Sequence, residues 1–123
     1  MTQIFFEVFT PIPTLNKLLH MCWQAKKRLQ DKLNLELGAF VLSQNPGEIP
    51  PGFRGAKKKR VLQITLHRKK LQDPDNLVGS CKPLIDAIKK AGLIYDDSSE
   101  WITLKVNQIQ AKAETIFVEV RGQ

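Results

Sequence analysis

Two carboxylates in alternate positions, Asp73 and Asp75, flank Pro74 and precede Asn76, and a second acidic pair, Asp96 and Asp97, closes the same stretch. Directly upstream the chain turns basic: residues 53–70 carry Arg54, Lys57, Lys58, Lys59, Arg60, Arg68, Lys69 and Lys70, with no Asp or Glu. Clustered carboxylates repel one another and usually serve a cation. A cation held by oxygen ligands beside a basic surface suggests chemistry on phosphate.

In an extended turn, alternate side chains point to one side, so Asp73 and Asp75 make half of a hard-metal site. Pro74 biases Asp73 away from helical geometry. Mg²⁺ needs few protein ligands and keeps several waters. Asp97 is the candidate third carboxylate, and chain reach tests it. A helix over 80–91 is about 18 Å long at ~1.5 Å per residue. The six residues 92–97 return about 20 Å at ~3.3 Å each, so Asp97 reaches Asp75 only if the chain runs extended back along that helix; otherwise it serves a second subunit. Each acid also has a structural alternative. Asp75 could be only a helix cap, and Asp96-Asp97-Ser98-Ser99 only a turn. An EF-hand is excluded, because counting from Asp73 the sixth position is Val78 and the twelfth Leu84. His20 and His67 lie outside any metal-ligand spacing and read as surface or packing residues. There is no P-loop or dinucleotide fingerprint, so no nucleotide cofactor is expected.

The elements that must position these residues follow from periodicity. Residues 4–9 are rich in β formers and read as a strand, ended by Pro11 and Pro13. Thr14 is a candidate cap for a helix over about 15–36, stopped by Gly38, with Met21 and Trp23 as packing residues. Residues 44–60, with their Pro, Gly and Lys content, predict a mobile loop. Residues 61–67 alternate and predict a half-buried strand. Asp75 or Asn76 can cap the next helix. Gly79 and Pro83 disturb its start, which leaves a regular helix from about Ser80 to Ala91, closed by Lys89, Lys90 and Gly92. Leu93 to Tyr95 reads as extended, 102–107 as a strand and 116–121 as the last strand. The order βαβαββ predicts an α+β fold, a four-stranded mixed sheet packed by two helices in one domain over 1–123.

Composition sets the partner class. With 123 residues and a net charge of +7, the chain is suited to a polyanion. Cys22 and Cys81 do not make a disulfide framework and read as reduced thiols. No secretory leader or span of ~20 apolar residues is read, so a cytoplasmic protein without membrane contact is expected.

The string D-P-D-N, followed by K-P-L-I-D-A-I-K-K-A-G-L-I-Y-D-D, resembles the RusA family of Holliday junction resolvases, common in phages and prophages. The likeness is specific over 73–97 and looser in the element order and in P-I-P-T-L-N after the first strand. It implies a Mg²⁺-dependent endodeoxyribonuclease, with Mn²⁺ as a possible substitute, that resolves four-way DNA junctions as a homodimer in recombination and repair. Asp73, Asp75 and Asp97 would be the metal-binding catalytic carboxylates and Lys82 the essential lysine. In the best-known members that lysine comes three residues after the Asn. Here Gly79 holds that position and Lys82 lies three residues further on, so an insertion over 78–81 with a glycine-borne bulge is expected. Arg68, Lys69 and Lys70 would hold DNA phosphates, with Lys57, Lys58, Lys59 and Arg60 extending the footprint. The reading from another class is a non-catalytic junction- or duplex-binding protein with a structural or degraded metal site.

Overall fold

A computed structural model describes residues 3–43, 49–50 and 52–122. The elements run β1 (Gln3–Val8), α1 (Leu15–His20), α2 (Trp23–Ser43), β2 (Arg60–Arg68), α3 (Pro74–Ser80), α4 (Lys82–Lys90), β3 (Ile102–Gln110) and β4 (Thr115–Gly122). The strands form one four-stranded sheet in the order β1-β4-β2-β3. β4 is antiparallel to both β1 and β2, while β2 and β3 are parallel. The fold is α+β with a mixed sheet, as the sequence implies. Among the described residues no helix is long and apolar enough to cross a membrane.

Alternation builds the core. Ile4, Phe6 and Val8 of β1, Leu62, Ile64 and Leu66 of β2, and Ile116, Val118 and Val120 of β4 are all buried and share one face of the sheet. Leu33 and Leu37 of α2 and Leu84, Ile85 and Ile88 of α4 are buried with them in one cluster. Truncating a fully buried leucine such as Leu84 to alanine would cost about 2–5 kcal/mol.

Both helical regions differ from the sequence expectation. The helix expected over 15–36 is two. Met21 is extended (φ −73, ψ 142) and ends α1, while α2 runs on through Gly38 to Ser43. No glycine or proline marks the break: α1 packs on α3 and α2 on α4, and these two dockings set different directions. Gly38 does not stop α2 because one helical glycine costs only about 1 kcal/mol. Trp23 is 69% exposed, so it is not a packing residue in this chain. The second region also divides, at Cys81, between α3 and α4. Gly79 has no positive φ, and a Cβ there would meet Leu15 Cδ2 at 3.0 Å. This glycine therefore admits α1 and forms no bulge. Gly92 does stop α4, with φ +83.

Part of the loop expected at 44–60, residues 44–48 and 51, lies outside the described residues. Within the rest, Phe53 is buried, and Gly55 N–H donates to Gly92 O at 2.8 Å.

Candidate functional site

The D-P-D-N turn follows the C-terminal end of β2. Asp73, and not Asp75 or Asn76, is the cap of α3: its Oδ1 accepts from Asp75 N–H at 3.2 Å. The proline sits at the helix start, where its missing N–H costs nothing and its fixed φ suits the first turn. Asp75 lies in that first turn, exposed and, among the described residues, without an ion pair. One oxygen of Asp73 is thus engaged, and the Asp75 carboxylate stays open on the surface.

The turn is strapped to β3 by two glutamines that sequence reasoning passed over. Gln72 N–H donates to Gln108 Oε1 at 3.1 Å, and Gln108 Nε2 donates to Gln72 O at 2.7 Å. The Gln108 amide thereby continues the strand pairing beyond the sheet. Gln72 Nε2 reaches Ser80 Oγ at 3.0 Å, whose hydroxyl donates to Leu77 O. Gln108 lies just past the strand expected over 102–107, and only the tertiary pairing reveals it.

Lys82 opens α4. Its Nζ contacts Asp97 Oδ2 at 2.7 Å and Asp86 Oδ1 at 3.1 Å. The hydrogen bond from Lys82 holds the Asp97 carboxyl below the usual carboxylate range, and the same bond holds Lys82 above the usual lysine value. Alongside, Lys89 pairs with Asp96 at 3.0 Å, and Asp97 N–H donates to Asp96 Oδ1. The chain after Gly92 does return along α4, as bends with no strand at 93–95. It brings Asp97 level with Lys82 and Asp86. Lys82 lies seven residues beyond Asp75, about 10 Å along a helical path at ~1.5 Å per residue.

The four residues singled out for catalysis thus fall into two pairs, Asp73 with Asp75 and Lys82 with Asp97. Among the described residues no three His, Cys, Asp or Glu side chains are gathered as a ready metal site. The donor chemistry still suits Mg²⁺ at the first pair, since this ion needs only one or two carboxylates beside water and substrate phosphate.

The basic residues also divide. Lys57, Lys58, Lys59, Lys69 and Lys70 are exposed. Lys57 Nζ lies 5.6 Å from the Tyr95 ring and 5.7 Å from Trp101, within cation–π range. Lys69 shares a surface recess with Lys112 of the turn after β3. Arg60, expected in the exposed cluster, is buried at 4%. Its guanidinium stacks on Phe53 at 3.6 Å, and Nη1 donates to Leu93 O at 2.8 Å. It sits at the start of β2 on the core side, so it serves the fold and no surface phosphate. Arg68, at the other end of the strand, is also buried at 8%. No protein-family model matches the chain, and no curated protein matches it either.

Proposed function

We propose that the protein is a structure-selective endodeoxyribonuclease that hydrolyses phosphodiesters at four-way DNA junctions with Mg²⁺. The observation that carries this reading is the meeting of Lys82 and Asp97 at 2.7 Å. These are two of the four residues that the RusA-like motif marks, and the fold joins them across 15 positions of sequence. Asp73 and Asp75 would hold the metal, with Asp97 as third carboxylate once Lys82 releases it; Mn²⁺ would substitute. The metal, when bound, activates water and offsets charge on the scissile phosphate. Lys82 is a mobile point charge on a flexible stem, suited to meeting charge that develops on that phosphate. Lys69 and Lys70 would hold backbone phosphates next to the turn, and Lys57, Lys58 and Lys59 would extend the track along the other end of α4. A junction requires two opposed cuts, which a two-fold homodimer supplies.

The test is incision of a synthetic four-way junction in Mg²⁺ against EDTA, with Asp75→Asn beside the wild type. Asp75→Asn keeps size and hydrogen bonding but removes a charge, so cleavage should collapse while junction binding survives. Full cleavage by Asp75→Asn, or cleavage in EDTA, sinks the proposal. One observation favours the non-catalytic alternative: among the described residues no three His, Cys, Asp or Glu side chains are gathered, and Asp97 is paired with Lys82. Tight, Mg²⁺-independent junction binding with no incision would establish it.

A further inference from the structure

Among the described residues three buried side-chain atoms lack a hydrogen-bond partner: His67 Nδ1, Arg68 Nε and Gln72 Oε1. All three fall within the last residues of β2 and the turn that leads to Asp73. Buried polar groups are normally satisfied, and of the three only the Arg68 donor suits an anion, since Gln72 Oε1 is an acceptor. Arg68 is the sharpest case. Among the described residues it makes no ion pair, although its charge reaches the buried Cys81 thiol. Arg60 offers the internal comparison, on the same strand and the same side of the sheet. Arg60 has an aromatic ring and a carbonyl to receive it; Arg68 has neither. A buried guanidinium N–H without a partner, Arg68 Nε, costs stability in the free protein, which an incoming anion would restore.

The place for that anion is a cleft of about 40 Å³ walled by residues 8–12, 66–68 and 114–116. It would accommodate about three waters or one small oxyanion. Its one carboxylate, Glu114, is exposed and makes no ion pair with Arg68. The neighbouring Glu36 carboxylate is already engaged by Phe9 N–H, Thr10 N–H and Thr10 Oγ1. The arginine fork matches tetrahedral oxyanions bidentately. We infer that this cleft is a phosphate-binding site in which Arg68 is the donor; His67, next to it on the strand, faces the other side of the sheet, where its ring packs on Phe117. The cleft is separate from the exposed Lys69–Lys70 strip. The phosphate is either free or part of a nucleic-acid backbone, and only the second source rests on the function proposed above.

The experiment compares wild type, Arg68→Met and Lys69→Ala/Lys70→Ala by thermal melting, in inorganic phosphate against chloride of equal ionic strength. Phosphate should raise the wild-type and Lys69/Lys70 melting temperatures and leave Arg68→Met unmoved. In chloride, Arg68→Met should melt no lower than wild type, because it loses a buried N–H that had no partner. A second arm measures binding of a short single strand and a duplex in EDTA, where no cleavage is needed. If the phosphate is that of a backbone, Arg68→Met weakens oligonucleotide binding about 10- to 100-fold, the scale of removing a charged hydrogen bond. Unchanged oligonucleotide binding beside an abolished phosphate response assigns the site to free phosphate. The inference is overturned if phosphate shifts wild type and Arg68→Met alike. It is equally overturned if Arg68→Met melts far lower or fails to fold, since the guanidinium then already has a partner within the chain.

Discussion

Lys82→Ala separates chemistry from stability, and the structure sets both magnitudes. The side chain is 61% exposed, against 26% for Asp97 and 42% for Asp86. Water screens such ion pairs, so each is worth about 0.2–1 kcal/mol, and the substitution should cost roughly 1 kcal/mol in all. For a domain of this size that lowers the melting temperature by about 5 °C at most. A fold stable by ~5–15 kcal/mol stays folded at assay temperature. Loss of one donor to charge developing in the transition state costs on the order of 100-fold or more in turnover, about 2.7 kcal/mol. The two effects differ enough to be told apart by single-turnover cleavage of a four-way junction beside a thermal melt. Lys89→Ala is the control, since it breaks a similar pair, with Asp96 at 3.0 Å, on the same helix. The pair also has a defined pH window. Asp97 is depressed from 3.8, so its contribution is present above that value and lost as pH falls through the lower folded pKa. Lys82 is raised from 10.5, so its contribution is present below that value and lost as pH rises through the higher one. The ion pair is therefore constant over neutral pH, and any pH dependence of cleavage there belongs to other groups. Wild-type turnover by Lys82→Ala would refute its role, and a melting point lowered by tens of degrees would refute the exposed-pair estimate.

Neutralising Lys69 and Lys70 should weaken binding to all DNA alike and flatten its salt dependence, by a slope of about 0.9 for each duplex phosphate left without its lysine; an unchanged slope would make them a solvated face. Burial pushes the Cys81 thiol up to about 11, so a thiol reagent should label the exposed Cys22 in the native protein and Cys81 only after unfolding. Rapid labelling of both would contradict the packing at the α3–α4 junction. Gly92→Ala combines φ +83 with a Cβ 3.3 Å from Gly55 N, and should cost about 1–2 kcal/mol, read as a lower denaturation midpoint. A neutral effect would mean that the turn after α4 relaxes freely.

Strands with strict alternation were legible in the sequence, because Leu62, Ile64 and Leu66 can face only one way in a half-buried sheet. The stop at Gly92 was legible for a similar reason, since few residues other than glycine accept that φ. The break at Met21 was not legible, because no local residue demands it and only the two separate dockings do. Asp73 and Asp75 could be located as a pair from spacing alone. Whether Asp97 joins them could not, since chain reach permits a return along α4 without saying how far it goes. The burial of Arg60 and Arg68 was hidden as well: a basic residue at a strand end reads as solvent-facing until the opposite layer is in place.

The position of β4 has a kinetic consequence. It lies between β1 and β2, and Gln3 pairs with Arg121 across nearly the whole chain. Residues 60–110, holding β2, α3, α4 and β3, form instead a contiguous parallel unit whose pairings span far shorter loops. Loop-closure entropy grows with separation, so the hypothesis is that this unit assembles first, and that β1 waits for β4 to give it an edge. Pulsed hydrogen exchange during refolding should then protect the amides shared by β2 and β3 before those of β1; simultaneous protection would argue for one concerted collapse. On that order, the segment bearing Asp73, Asp75, Lys82 and Asp97 takes shape early, and the N-terminal strand arrives as the last part of the sheet.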